Sequence, residues 1–96
     1  MNMGEEKSEV VNNVEDSRFE LRVGDHLAYI DYTLKKDRIV YIHTEVPQAL
    51  EGQGVGSRLA QHALTYAQEQ DLRVILQCPF VAAYIKRHPE NQKLVS

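Results

Sequence analysis

From Arg18 onward the chain alternates apolar and polar residues with a period of two. Phe19, Leu21 and Val23 face one way and Glu20 and Arg22 the other, which predicts a strand. Gly24-Asp25 supplies a turn, and His26 to Leu34 reads as a second strand with Ala28, Ile30, Tyr32 and Leu34 on one face. Lys35-Lys36-Asp37 closes a hairpin into a third strand, Arg38 to Val46. Val40, Ile42, Thr44 and Val46 alternate there with Ile39, Tyr41, His43 and Glu45. Both faces of this third strand carry apolar residues, so it is expected inside a sheet and covered on each side. Pro47 cannot donate to a ladder and marks where pairing stops. The period then becomes helical: from about Gly54 to Gln70, Val55, Leu59, Ala63, Tyr66 and Ala67 form a stripe that Ala60 and Leu64 widen. Leu72 to Gln77 is a short strand, expected parallel to the third because a helix joins them. A second helix over Val81 to Arg87 is expected after Pro79.

The first 16 residues differ. Glu5, Glu6, Glu9, Glu15 and Asp16 dominate them, apolar periodicity is slight, and only Val10, Val11 and Val14 leave room for a short strand. Residues 1–16 are therefore read as a mostly flexible tail ahead of a single domain over 17–96. At 96 residues the chain builds one core and no separate substrate domain. Its formal net charge of −3, with Lys and Arg scattered, argues against nucleic acid, which asks for a basic stripe. One cysteine excludes an internal disulfide. No apolar run approaches the roughly 18 residues of a membrane span, and no secretory signal pattern is present, so a cytoplasmic location without membrane contact is expected.

Residues 51–59, Glu-Gly-Gln-Gly-Val-Gly-Ser-Arg-Leu, place three glycines at alternate positions just before the first predicted helix. Glycine reaches positive φ cheaply and lets a ligand approach the main chain, so Gly52, Gly54 and Gly56 allow consecutive N–H groups to converge on an anion. The helix that follows has unpartnered N–H groups and about half a positive charge at that end, which suits a pyrophosphate. Glycine-rich turns before helices also serve simply to redirect the chain. No Gly-Lys-Ser/Thr ends the loop, and the third glycine comes one residue too early for Gly-x-Gly-x-x-Gly, so neither the P-loop nor the dinucleotide fingerprint applies.

The order strand, glycine loop, helix resembles the acetyl-CoA pyrophosphate loop of GNAT-type N-acetyltransferases, whose signature is Gln/Arg-x-x-Gly-x-Gly/Ala. Glu51, Gly54 and Gly56 fill its three defined positions, Glu51 departing from the preferred Gln or Arg and bringing a carboxylate beside the phosphates. The flanks extend the likeness: His43-Thr44-Glu45-Val46-Pro47 before the loop, and Cys78-Pro79-Phe80-Val81, Tyr84-Ile85 and Arg87-His88-Pro89-Glu90 after it. Over about residues 18–95 the chain is similar to the small, single-domain branch called mini-acetyltransferases. The resemblance implies a compact α+β fold of the α/β three-layer type, in which antiparallel strands lead into a strand, glycine loop, helix, strand unit and a C-terminal helix. It implies acetyl-CoA as cofactor, bound by Thr44, Glu45 and Val46 on the strand and by Gly52, Gln53, Gly54, Val55, Gly56, Ser57 and Arg58 on the loop and first helical turn. Arg58, Lys86 and Arg87 are the cations considered for the adenosine phosphates; exposed cations on helices are usually just solvated, and only Arg58, inside the first turn after the loop, is expected to make that contact. Larger family members insert helices between their first two strands to shape the acceptor site. Here only Gly24-Asp25 stands between the strands, so an open site and an exposed amine acceptor are expected: a protein lysine, a polyamine or another small amine.

Four residues are candidates for the chemistry. Cys78 ends the strand after the glycine helix, where strands of the family splay around the pantetheine arm. An accessible thiol there would accept the acyl group or protonate the departing CoA thiolate; the alternative is a buried structural thiol. His43 and Glu45 lie two residues apart on one strand face, about 6 to 7 Å along it, and either would relieve an amine of its proton, unless the histidine is a hydrogen-bonded structural group. Tyr84 lies where many of these enzymes carry a tyrosine that protonates the CoA sulfur, and a core-packed aromatic is its other reading. His26, His43, His62 and His88 are scattered, so no metal site is expected. The overall reading is an acetyl-CoA-dependent N-acetyltransferase acting on a primary amine. The alternative is a non-catalytic acyl-CoA-binding module.

Overall fold

The computed structural model describes residues 9–96. Its elements are β1 (Val11–Asn13), β2 (Arg18–Val23), β3 (His26–Leu34), β4 (Arg38–Glu45), α1 (Val55–Glu69), β5 (Arg73–Leu76) and α2 (Pro79–Arg87), with 3-10 turns at Gln48–Leu50 and Pro89–Leu94. The five strands form one sheet in chain order; β1 to β4 pair antiparallel and β5 joins β4 in parallel, as the intervening helix requires.

Of the stretch expected as tail, Val11–Asn13 pairs with β2, so the sheet begins before the boundary expected at 17; Glu5 and Glu6 lie outside the described residues. This edge strand is short and is held by side chains. Tyr32 donates its hydroxyl to Asn12 Oδ1 at 2.7 Å, and Asn13 Nδ2 donates to Asp16 and to Glu20, both at 3.0 Å. Partial burial pushes the Glu20 carboxyl up, but the hydrogen bonds from Arg18 Nε, at 2.6 Å, and from Asn13 outweigh it and hold the group below the ordinary glutamate range.

The predicted alternation of β2 and β3 is the alternation that packs, except at the end of β3, where Leu34 is 52% exposed. Phe19, Leu21, Ala28, Ile30 and Tyr32 are buried in one cluster with Ile39 and Tyr41 of β4 and with residues of both helices. On α1, Leu59, Ala60, Ala63, Leu64 and Ala67 are buried, and the small alanines let the helix lie close to the sheet. Tyr41 uses that proximity: its hydroxyl donates to the Ala63 carbonyl at 2.6 Å, and burial raises its pKa far above the normal tyrosine value, so it remains a proton donor. The helix ends in a Schellman motif. Asp71 takes φ 59°, Leu72 N–H reaches the Ala67 carbonyl at 2.8 Å and Asp71 N–H that of Gln68 at 3.2 Å. The outer edge of β5 is occupied by the C-terminus through a Val74–Val95 bridge and the Ser96 N–H to Val74 carbonyl bond of 2.9 Å.

One irregularity changes which residues face which way. Tyr32 pairs with Tyr41 whereas Asp31 pairs with His43, so Ile42 is an extra residue that bulges out of β4. The unbroken alternation expected along this strand therefore stops at Ile42. Beyond the bulge Thr44 pairs with Ile30 on the core face, while His43 and Glu45 pair with Asp31 and Tyr29 on the opposite face. Ile39, Val40 and Tyr41 are all buried, as expected for a covered inner strand, but Ile42 is 39% exposed.

Candidate functional site

The loop after β4 is shaped by its glycines in two distinct ways. Gly52 (φ 82°) and Gly54 (φ 75°) sit in the left-handed region, Gly54 as the N-cap of α1, and a Cβ at either would meet no atom within 4 Å; their need is conformational. Gly56 lies inside the helix, and there the need is space. A Cβ at Gly56 would stand 2.5 Å from Cζ of Phe80 on α2, so its bare backbone lets the N-terminal ends of the two helices meet. The three alternating glycines thus build the expected loop, but the third does so by packing.

The first amide of α1 to find an acceptor is that of Arg58, bonded to the Gly54 carbonyl at 3.0 Å. No hydrogen bond within the described residues uses the N–H groups of Gly52, Gly54, Val55, Gly56 or Ser57, and no side chain caps the helix. Val55 is 3% exposed, and Gly56 is buried as well. Buried amides without acceptors are costly in a native protein, and several pointing from one loop and helix start are what an anionic ligand satisfies.

These groups border a cleft of about 360 Å³. Thr44 and Val46 at the end of β4 line it, with Leu50, Glu51, the glycine loop through Ser57, and Phe80 and Arg87 of α2. Its inner end coincides with a split in the sheet. The β4–β5 pairing stops at Tyr41–Leu76, with one further bond from Gln77 N–H to the Tyr41 carbonyl, so beyond that point β4 has no partner on this side among the described residues. A second cavity, about 430 Å³, lies between Glu9, Val10 and the outer face of α1 at Arg58, Gln61, His62 and Thr65, and contains none of the glycine-loop backbone.

Seven of the expected cofactor residues line the cleft: Thr44, Val46, Gly52, Gly54, Val55, Gly56 and Ser57. Three do not. Gln53 turns back and donates to the Ala49 carbonyl at 3.1 Å, Glu45 is carried to the other face by the bulge, and Arg58 lines the second cavity. Leu50, Glu51 and Phe80 line it outside the expected set, and so does Arg87, a cation that the sequence ranks behind Arg58 for the adenosine phosphates. Phe80 had a readable signal, because a large aromatic just after Pro79 at a helix start must lie against something near the strand end. Arg87 had a weaker one, its helical spacing of seven from Phe80, which returns it to the same side two turns later.

The candidate catalytic residues separate. Cys78, expected to be accessible, is 2% exposed; it is the N-cap of α2 and its Sγ lies 3.0 Å from Thr44 Oγ1, so Thr44 stands between it and the cleft. The thiol is packed within the core cluster, and the bulge at Ile42 puts Thr44 on that same side of the strand. His43 and Glu45 pair with each other, Nε2 to Oε1 3.1 Å, with side chains 56% and 53% exposed on the face away from the cleft. The His43 ring stands edge-on to Tyr29 with centroids 6.5 Å apart. Tyr84 is 6% exposed and stacked on His88 at 4.2 Å, part of the core cluster, and does not line the cleft. Among the described residues no group of three or more His, Cys, Asp or Glu could hold a metal ion, and no helix is long and apolar enough to cross a membrane.

Comparison with known proteins places this geometry in a lineage. The family model for GCN5-related N-acetyl-transferases matches residues 18–94. Protein NATD1 of chicken is 40% identical over 68 residues, covering 70% of this chain and 62% of its own length, and Protein NATD1 of human is 40% identical over the same length, covering 60% of its own. The chain therefore spans about three fifths of these relatives. The NMR solution structure of a GCN5-like protein from Staphylococcus aureus superposes with a TM-score of 0.71 at 26% identity, over 92% of this chain and 87% of that one.

Proposed function

Because the chain belongs to the GCN5-related N-acetyl-transferase family, whose common chemistry is acetyl transfer, we propose that it binds acetyl-CoA in the cleft and transfers the acetyl group to a primary amine. The observation that carries this reading is the row of unpartnered amides at Gly52, Gly54, Val55, Gly56 and Ser57 on the wall of a 360 Å³ cleft. These amides are assigned to the pyrophosphate. Thr44 and Val46, which line the cleft beyond the last β4–β5 pair, would hold the pantetheine arm. Bound there, acetyl-CoA supplies an activated thioester.

The protein's part is then to hold and to move protons. The acceptor amine is assigned to the sheet face on which His43 and Glu45 are exposed, opposite the core face that carries Thr44. There His43, oriented by Glu45 at 3.1 Å, takes the amine proton. Cys78 is given a supporting role, fixing the Thr44 hydroxyl at 3.0 Å, because a thiol 2% exposed behind another side chain is poorly placed to receive an acyl group. The short β2–β3 turn leaves the acceptor side open, which favours a lysine side chain or a polyamine over an enclosed metabolite.

Release of CoA across a panel of amines, with intact-mass measurement of the protein after exposure to acetyl-CoA, tests this reading. The expected result is turnover of exposed amines, no covalent acetyl on Cys78, retained turnover in Cys78→Ala, and a changed pH profile in His43→Gln. Tight acetyl-CoA binding with no turnover of any amine would instead make the protein an acyl-CoA-binding module.

A further inference from the structure

The cleft has a charge problem that the glycine loop does not solve. Glu51 lines it, and a carboxylate beside a ligand bearing several phosphate charges is repulsive. Unpartnered amides and a helix dipole offset part of this, but they carry only partial charge. Among the described residues, one full positive charge lines the same cleft: Arg87, in the last turn of α2. Arg58, the cation nearest the loop in sequence, is on the wall of the other cavity.

The position of Arg87 follows from helix geometry. Phe80 and Arg87 are seven residues apart, two turns on one side of α2, separated by about 10 Å of rise. Phe80 lies against Gly56 and so fixes one end of α2 to the start of α1. Arg87 is therefore held some two turns away from the loop amides, along the same cleft, on a helix and not on a loop. No hydrogen bond or ion pair of the described residues engages its guanidinium, whereas Arg18 and Arg38 are each paired with a carboxylate. A planar fork of donors at that place suits a phosphate that the loop amides do not reach.

We propose that Arg87 is a phosphate-recognition residue of the cleft, reading the 3′-phosphate of coenzyme A and offsetting the repulsion from Glu51. This inference rests on the acetyl-CoA reading given above. It adds a specificity: the protein should distinguish coenzyme A from its 3′-dephospho form, and the distinction should pass through one side chain.

Calorimetric titration of the full chain with coenzyme A and with 3′-dephospho-coenzyme A, in wild type, Arg87→Gln and Arg87→Lys, tests it. Wild type is expected to bind coenzyme A about tenfold or more tightly than the dephospho form. Arg87→Gln should lose about that factor for coenzyme A and little for the dephospho form, with Arg87→Lys between the two. Arg87 is exposed, so unchanged circular dichroism melting of the variants is expected to accompany the loss. Equal affinity of wild type and Arg87→Gln for coenzyme A would overturn the proposal. An equal loss for both ligands would overturn the 3′-phosphate assignment by moving the contact to the pyrophosphate. Failure of wild type to bind either ligand would instead remove the acetyl-CoA reading on which the inference stands.

Discussion

Gly56→Val should destabilise the protein by about 1–3 kcal/mol and weaken acetyl-CoA binding at least about tenfold. The Cβ would stand 2.5 Å from Phe80 Cζ and within 3.2 Å of both Cε atoms, so either the ring or the helix must move. Phe80 lines the cleft, and moving it reshapes the wall that faces the loop amides. The double variant with Phe80→Ala separates the two costs. Relieving the clash should recover much of the stability lost to valine, measured by denaturant unfolding, while affinity measured by calorimetry stays low because the wall is gone. A Gly56→Val protein with wild-type stability and affinity would show that the helices do not meet there.

Phe19→Ala should be costlier to the fold, about 3–5 kcal/mol. Phe19 is 0% exposed and its ring stands 5.2 Å from that of Tyr32, 5.3 Å from Tyr66, 5.6 Å from His62 and 6.4 Å from Tyr41, so it joins β2, β3 and β4 to the middle of α1. Against a total stability of about 5–15 kcal/mol for a domain of this kind, such a loss lowers the melting temperature by roughly 15 °C or more. Thermal unfolding followed by circular dichroism checks it, with Phe19→Leu as the smaller perturbation. A cost under about 1 kcal/mol would mean that the ring cluster is not a packed core.

The strands at Arg18, His26 and Arg38, the glycine helix and the parallel strand after it were legible because one buried face imposes a strict period, and a period survives without knowledge of neighbours. The loop was legible for a related reason: alternate glycines at a helix start have few uses. What escaped depends on partners distant in the chain. The strand at Val11–Asn13, for which Val10, Val11 and Val14 only leave room, has little apolar pattern of its own and is held by Tyr32, Glu20 and Asp16 through asparagine side chains. Nothing in Ile42 itself signals a bulge, yet that one extra residue sends Thr44 inward, to within 3.0 Å of the Cys78 thiol, and His43 and Glu45 outward. Arg58 and Arg87 exchanged places for a similar reason. Proximity in sequence favoured Arg58, but its position on α1 turns it toward Gln61 and His62, while α2 brings Arg87 back across the cleft.

The bulge also divides labour across β4 in a way that fits transfer between two separate ligands. On the core side, Thr44 and Val46 border the cleft with the loop amides; on the other, His43 and Glu45 are exposed, with the half-buried Tyr29 ring edge-on to His43. A donor and an acceptor approaching from opposite faces would meet where β4 has no partner strand, without competing for one pocket.

The most direct test of the central claim is a titration of the isotopically labelled protein with acetyl-CoA, followed through its backbone amide resonances. The largest shifts are expected at Gly52, Gly54, Val55, Gly56 and Ser57, the N–H groups that have no acceptor among the described residues, with smaller ones at Thr44, Val46 and Arg87. Saturable binding that leaves those five amides unmoved, and shifts instead the residues around Glu9, Arg58 and His62, would contradict it.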